Sequence, residues 1–143
     1  MACLIILHTI GGHYTFERAP FGFITKLFGF SHNYYEMVTH FTVGFYAYPI
    51  AEILLVKKAV RDKGILVLFP LFAIFTVAGG YEIFKWVYAV SVDSTVRVAV
   101  LGSQNDLWGS QKNMLADVVG SVFAMGLFWF NYRRQIRQMN QQN

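Results

Sequence analysis

The sequence predicts an all-α fold, a polytopic transmembrane helix bundle with three full spans and a short or partial N-terminal hydrophobic helix. Composition is the first indication, because 55% of the 143 residues are hydrophobic and 14% are charged, whereas roughly a quarter of the residues in a soluble domain are charged. The second indication is three apolar segments of about 20 residues, the length that an α-helix needs to cross a bilayer. These segments lack the polar and apolar alternation of β-barrel strands, so helices are favoured.

The predicted elements follow one another along the chain. Residues 1–10 are apolar apart from His8 and Thr9, but ten helical residues cover only about 15 Å, so a partial span is expected there. They have neither the basic leader nor the cleavage site of a signal peptide. The aromatic, nearly uncharged segment 21–30 suits an interfacial position at the lipid headgroups, and an ordinary loop with aromatic anchors is the alternative. The full spans cover residues 35–56, 65–90 and 114–132.

Basic residues give the predicted orientation. One cluster lies between the first two spans, in residues 57–63, and another follows the third span, in residues 133–137. Lys and Arg are enriched in cytoplasmic loops, so loop 57–63 and the C-terminus are expected to be cytoplasmic. This placement accounts for the net charge of +4, so the lipid bilayer, and no nucleic acid, is the expected partner. No stretch has the composition of a linker, and residues 1–143 are assigned to a single integral membrane domain.

Helical rise places three polar side chains at one level. At about 1.5 Å per residue they lie about 24 to 28 Å from a basic residue at the cytoplasmic end of their own helix; they are His40, Glu82 and Asp117. Polar groups beside a bilayer are costly, so a group of them indicates a functional site. His13 lies in the loop before the first span and Asp106 in the loop before the third span, and both are expected to join this group. The sequence therefore predicts one polar pocket that faces outward.

Several residues of this predicted pocket are candidates for metal binding or catalysis. Glu36 and His40 are four residues apart and share a helix face, which suits a metal ligand with its orienting carboxylate, or a base with its partner. A polar helix start bonded to its neighbours is the alternative. His13 follows two glycines that allow a tight turn, so the candidate ligands of a divalent metal are His13, His40 and Glu36, although no spacing matches a standard zinc pattern. The candidate catalytic residues are His40, Glu82 and Asp106.

Two further acidic residues have simple ion-pair interpretations. Glu82 and Lys85 are three residues apart and can pair on one helix face, so structural pairing is the alternative to catalysis for Glu82. Glu52 lies near the cytoplasmic basic cluster. It is expected to pair with one of the basic side chains there, namely Lys57, Lys58 or Arg61.

Polar and aromatic residues around the third span have two interpretations. They can hold a polar ligand, or some of them can cap the helix; the candidate ligand-binding residues are Tyr14, Trp108, Gln111 and Asn113. Gly120 and Ala124 have the small-xxx-small spacing that allows helices to approach closely. These two residues are therefore assigned to helix packing.

Four ordered motifs resemble a known family. They are Leu7-His8-x-x-Gly-Gly-His13-Tyr-Thr, Asn33-x-Tyr-Glu36-x-x-x-His40-Phe-x-x-Gly44-Phe, Tyr81-Glu82-x-x-x-Trp86 and Leu101-Gly-Ser-Gln-x-Asp106-x-Trp108-x-x-Gln111-x-x-Met114. The chain resembles the YjdF-like family of predicted bacterial inner-membrane proteins over most of its length. The resemblance implies a location in the inner (plasma) membrane, further hydrophobic helices upstream in family members, and no established activity.

The resemblance also implies four departures from the family pattern. The family has a second acid at the position of Lys85, acids at those of Gly109 and Asn113, and an arginine at that of Met37. Fewer carboxylates weaken a divalent-cation site, because charge count largely sets its affinity.

The expected function is that of a small integral membrane protein, an accessory or structural subunit of a membrane complex with a polar outward-facing pocket. The alternative is a metal-dependent membrane enzyme that acts on a lipid or lipid-linked substrate at the outer face. Transport of a proton or small ion would need polar residues in the middle of the spans, where the sequence has almost none.

Overall fold

A computed structural model describes residues 6, 9, 35–93 and 108–139, and over these residues all regular structure is helical. The elements are α1 (Tyr35–Val43), a 3-10 turn (Gly44–Tyr46), α2 (Ala47–Val56), α3 (Lys63–Val90) and α4 (Gly109–Gln138). Ile6 and Thr9 are also helical. The rest of the predicted partial span 1–10, and the whole interfacial segment 21–30, lie outside the described residues.

Two of the predicted spans correspond to single long helices. Helix α3 has 28 residues and α4 has 30, and both are apolar enough to cross a membrane. Helix α3 begins two residues before the predicted span 65–90 and ends with it. Helix α4 begins five residues before the predicted span 114–132 and ends six residues after it. The predicted span 35–56 corresponds to α1, the 3-10 turn and α2 in direct succession. Because the 3-10 turn divides this segment, three full spans are not confirmed.

Helices α1 and α4 pack backbone to backbone. A Cβ atom on Gly44 would collide with the backbone of Asp117, Gly120 and Ser121 in α4. A Cβ atom on Gly120 would in turn collide with the carbonyl oxygen of Phe41 in α1. Small residues at an interface allow such close approach between helices in membranes. The contact holds the first half of α4 directly against α1.

The apolar core of the bundle lies beside α2 and the second half of α4. It is formed by buried side chains from α2, α3 and α4, namely Ala47, Ala51, Leu66, Ile74, Met125, Phe128 and Ile136. At its edge the Tyr132 hydroxyl donates a hydrogen bond to Glu52 Oε1, and Asn131 Nδ2 donates to the Tyr48 hydroxyl at 3.0 Å. These polar contacts join α2 to α4.

The expected pairing of Glu52 with a neighbouring basic residue was wrong. Its hydrogen bond goes to Tyr132 on α4, and none of the salt bridges between described residues includes it. Glu52 lies within α2, which ends at Val56, whereas Lys57 and Lys58 follow that end and are exposed. Packing between helices therefore determines the partner of this carboxylate.

The close contact between α1 and α4 predicts different effects for the same glycine substitution at two positions. Gly120→Ala should lower the free energy of unfolding by about 1 to 3 kcal/mol, the usual cost of overpacking. Gly126→Ala is the matched control, since no described residue lies within 4 Å of a Cβ atom there, and it should be neutral or stabilise by up to about 1 kcal/mol, the helix preference for Ala over Gly. Denaturant unfolding of the purified protein in detergent measures both. Equal effects at the two positions would contradict the close contact.

Candidate functional site

A cluster of polar side chains lies between α1, α3 and α4, near the end of α3 and the start of α4. Each helix contributes two residues at helical spacing of three or four, so that both project from one face. The residues, called the polar cluster below, are Glu36, His40, Glu82, Lys85, Asn113 and Asp117. All of them are buried except Glu36, which is partly buried.

Lys85 joins α3 to α1. Its Nζ atom lies 2.9 Å from Glu36 Oε1 on α1 and 3.4 Å from Glu82 Oε1 on its own helix. Asn113 Nδ2 on α4 donates to the same Glu36 Oε1 atom at 2.9 Å. One carboxylate oxygen therefore accepts hydrogen bonds from two other helices.

His40 makes the second set of contacts between helices. Its Nδ1 atom lies 2.8 Å from Asp117 Oδ2 on α4, within hydrogen-bond distance. Its Nε2 atom lies 3.7 Å from Glu82 Oε1 on α3, beyond hydrogen-bond distance. The imidazole thus lies between carboxylates of two different helices.

The polar cluster has more acidic than basic side chains. Three carboxyl groups, those of Glu36, Glu82 and Asp117, face the amine of Lys85 and the imidazole of His40. Among the described residues, the buried atoms Glu82 Oε2 and Asp117 Oδ1 have no hydrogen-bond partner. A buried carboxylate oxygen without a partner is costly. The polar cluster can therefore still accept a hydrogen-bond donor or a cation.

Part of the polar cluster has the donor set of a metal site. Glu36, His40 and Glu82 each offer one ligand atom, and these atoms lie within 4.8 Å of one another. Carboxylate oxygen and imidazole nitrogen are common ligands of divalent transition metals. The Lys85 ammonium contacts both glutamates. A metal ion would have to compete with it for their oxygens.

An aromatic ring borders the polar cluster. The centroid of the Tyr81 ring lies 6.3 Å from that of His40 and 5.7 Å from Lys85 Nζ, the second distance being suitable for a cation–π contact. Tyr81 itself is exposed. It therefore lies between the charged groups and the surface of the bundle.

The structure brings several of the predicted site residues together. His40 and Glu82 meet with Asp117, as helical rise predicts, and Glu36 and Asn113 join them. Trp108 and Gln111 are exposed at the start of α4. The remaining candidates, His13, Tyr14 and Asp106, lie outside the described residues.

The sequence did not predict two of the partners. Helical spacing predicts a pair between Lys85 and Glu82, and the structure has this contact, but the shorter contact of Lys85 is with Glu36 on another helix. Helical rise predicted the level of Asp117 in the membrane but not its function, and in the structure it is the partner of His40. The spacing of four residues between Asn113 and Asp117 was the available signal, since it puts both on the helix face that meets α1.

Helix length, apolar surface and a charged cluster between helices define a small helical membrane protein. The chain belongs to the family described as "Predicted membrane protein (DUF2238)", whose model matches residues 1–134. It is similar to the inner membrane protein YjdF of Escherichia coli (strain K12), with 28% identity over 141 residues, which cover 94% of this chain and 67% of that protein. No solved structure matches it. The resemblance inferred from the four motifs is confirmed.

The contact between Lys85 and Glu36 predicts strong coupling in a double-mutant cycle. Lys85→Met leaves buried Glu82 and partly buried Glu36 without their cation. Removal of one partner from a fully buried pair costs about 3 to 5 kcal/mol, so a loss of up to that size is expected. The second change, Glu36→Gln, should cost less in that background than in the wild type, by about 0.5 to 3 kcal/mol. Denaturant unfolding in detergent gives all four free energies.

Lys57→Met is the control for this cycle, because Lys57 is exposed and surface substitutions usually change stability by less than about 0.5 kcal/mol. If Lys85→Met is as mild as Lys57→Met, or if the two changes in the cycle are additive, the ion pair does not stabilise the bundle.

Proposed function

We propose that this chain is an accessory or structural subunit of a membrane complex, in which the polar cluster fixes the positions of α1, α3 and α4. The observation that carries the proposal is the position of the Lys85 ammonium, 2.9 Å from Glu36 Oε1 and 3.4 Å from Glu82 Oε1. The same two carboxylates, with His40, form the candidate metal triad. A covalently attached cation thus contacts both carboxylates that a catalytic metal would need.

Burial also favours a structural role. A general acid or base must lie within hydrogen-bond reach of its substrate, but His40, Glu82 and Asp117 are 8%, 6% and 0% exposed. Among the described residues, their ion-pair contacts are with one another and with Lys85. The family resemblance implies an acid at the position of Lys85, and a lysine there supports a structural role for the cluster in this chain.

One face of α3 suits a partner helix. Ala73, Thr76 and Gly80 are small residues at spacings of three and four, so they share a face. Gly80 is exposed, and none of the residues that the structure describes lies within 4 Å of a Cβ atom there. Faces of small residues allow close packing between membrane helices. We propose that a helix of another subunit packs against this face.

In the membrane, we place residues 35–56 as a third crossing and loop 57–63 and the C-terminus in the cytoplasm. The basic residues of that loop and of the segment after the third predicted span support this orientation, because Lys and Arg are enriched on the cytoplasmic side. The polar cluster then lies at the outer side, about 28 Å along α3 from Lys63 to Glu82.

Metal analysis tests whether Lys85 replaces a metal. The wild-type protein, purified and exposed to Zn²⁺ or Mn²⁺ before desalting, should retain no more metal than His40→Ala. Lys85→Glu should retain more of it, because an added carboxylate raises the affinity of a cation site. Elemental mass spectrometry measures the metal per chain. Stoichiometric metal on the wild-type protein that His40→Ala removes would contradict the proposal.

Native electrophoresis tests the partner face. Membranes solubilised in mild detergent should contain the wild-type chain in a complex larger than the monomer. Gly80→Leu should shift most of it to the monomer. The control Gly126→Leu makes the same change at an exposed glycine of α4, where a Cβ atom also has open space, and should leave the complex intact. A wild-type protein that migrates only as a monomer would count against a subunit role.

A metal-dependent membrane enzyme is the second candidate. It is favoured by the geometry of Glu36, His40 and Glu82 and by the two buried carboxylate oxygens without partners among the described residues. Such an enzyme would act on a lipid or lipid-linked substrate at the outer face. Bound metal in the wild type, together with a growth or lipid-composition change in both His40→Ala and His13→Ala strains, would favour it over the structural role.

A further inference from the structure

A cavity lies at the opposite end of the bundle from the polar cluster. Its volume is about 540 Å³, and it opens between the α2–α3 turn and the last turns of α4. The polar side chains that line it are Lys58, Arg61, Gln135 and Gln138. Small-molecule sites usually have volumes of about 300 to 1,000 Å³. The cavity is therefore large enough for a small polar group.

The lining of this cavity suits an anion. Lys58 and Arg61 supply an ammonium and a guanidinium group, and among the described residues neither has a salt-bridge partner. Asp62 is the acid nearest in sequence, but its Oδ1 atom accepts a hydrogen bond from the Ile65 backbone N–H at 2.9 Å, at the start of α3. Guanidinium and ammonium groups form strong, charge-assisted hydrogen bonds with phosphate.

The end of α2 determines the backbone conformation at Lys58. Lys58 N–H donates to the Leu55 carbonyl at 3.1 Å and Ala59 N–H donates to the Leu54 carbonyl at 3.0 Å, which is the hydrogen-bond pattern of a Schellman helix ending. Lys58 has φ 52°, in the left-handed region where glycine is the usual residue. A lysine therefore occupies a strained position that glycine would fit better, at the rim of a cavity with another cation.

We infer that this cavity binds a phosphate group, either of an anionic phospholipid or of free inorganic phosphate. It lies where α3 begins and α4 ends, and these are the two helices long enough to cross a membrane. Basic pockets between membrane helices at this level bind anionic lipid headgroups. The inference is independent of the role proposed for the polar cluster, whose residues do not line the cavity, but it rests on the cytoplasmic position proposed above for loop 57–63.

Three variants distinguish binding in the cavity from general attraction of anions to the basic loop. Lys58→Gly removes the ammonium and relieves the left-handed strain, so it should leave thermal stability unchanged or raise it. Arg61→Gln removes the guanidinium group. The control, Lys57→Gln, removes a charge from an adjacent exposed residue that does not line the cavity.

Native mass spectrometry with phosphatidylglycerol and phosphatidylcholine tests the lipid source. The wild-type protein should retain phosphatidylglycerol in preference to phosphatidylcholine. Its affinity should fall at least fivefold in Lys58→Gly and in Arg61→Gln, because each loses a charged contact, and should be nearly unchanged in Lys57→Gln. Titration of inorganic phosphate against the protein in phosphatidylcholine nanodiscs, followed by calorimetry, tests the other source with the same variants.

Binding of either phosphate compound supports the inference if it is weakened by Lys58→Gly and Arg61→Gln but not by Lys57→Gln. The compound that binds identifies the source of the phosphate group. Selective retention of phosphatidylglycerol identifies a lipid headgroup, and saturable binding of inorganic phosphate identifies the free anion. Equal losses in Lys57→Gln and Arg61→Gln would show attraction to the basic loop alone. That outcome, or no binding of either phosphate compound, would overturn the inference.

Discussion

The ion pair between Lys85 and Glu36 is the contact on which the arrangement of the helices depends. Charges removed from water carry a desolvation cost of several kcal/mol each, which is recovered only when their partners are correctly placed. Glu36 lies on α1 and Lys85 on α3, and Asn113 of α4 donates to the same carboxylate oxygen. A shift in the register of any one helix would leave a buried charge without its partner. The pair therefore favours one arrangement of three helices that apolar packing alone would specify less well.

Backbone packing and polar contacts reinforce each other at the interface of α1 and α4. Gly44 lies one helical turn after His40, and Gly120 lies three residues after Asp117. The close approach at the two glycines brings the imidazole within 2.8 Å of the Asp117 carboxylate. Side chains at these glycine positions would separate the helices and lengthen that hydrogen bond. Small residues near the middle of the interface thus determine the geometry of the charged groups near its end.

The sequence was sufficient to predict much of the fold, because the principal signals lie within single helices. Apolar length identified α3 and α4, and helical rise placed His40, Glu82 and Asp117 at one level, where the structure brings them together. Partner choice between helices was not predictable in this way. The spacing rule that pairs Lys85 with Glu82 contains no information about Glu36, and the same limit applies to Glu52, whose partner lies on α4. The 3-10 turn within 35–56 likewise has no signal in hydropathy.

The two ends of the bundle have opposite electrostatic character. Among the residues that the structure describes, the polar cluster has three acidic side chains and one lysine, whereas the cavity at the other end is lined by Lys58 and Arg61 and by no acidic residue. The central claim is that the Lys85 ammonium occupies the carboxylates that a metal would use. Anomalous diffraction from crystals soaked in Mn²⁺ or Zn²⁺ tests it most directly. We expect Lys85 Nζ to remain within about 3.5 Å of both glutamates, a hydrogen-bond distance for a charged pair, with no anomalous peak there. A peak between Glu36, His40 and Glu82, with Lys85 displaced, would contradict it.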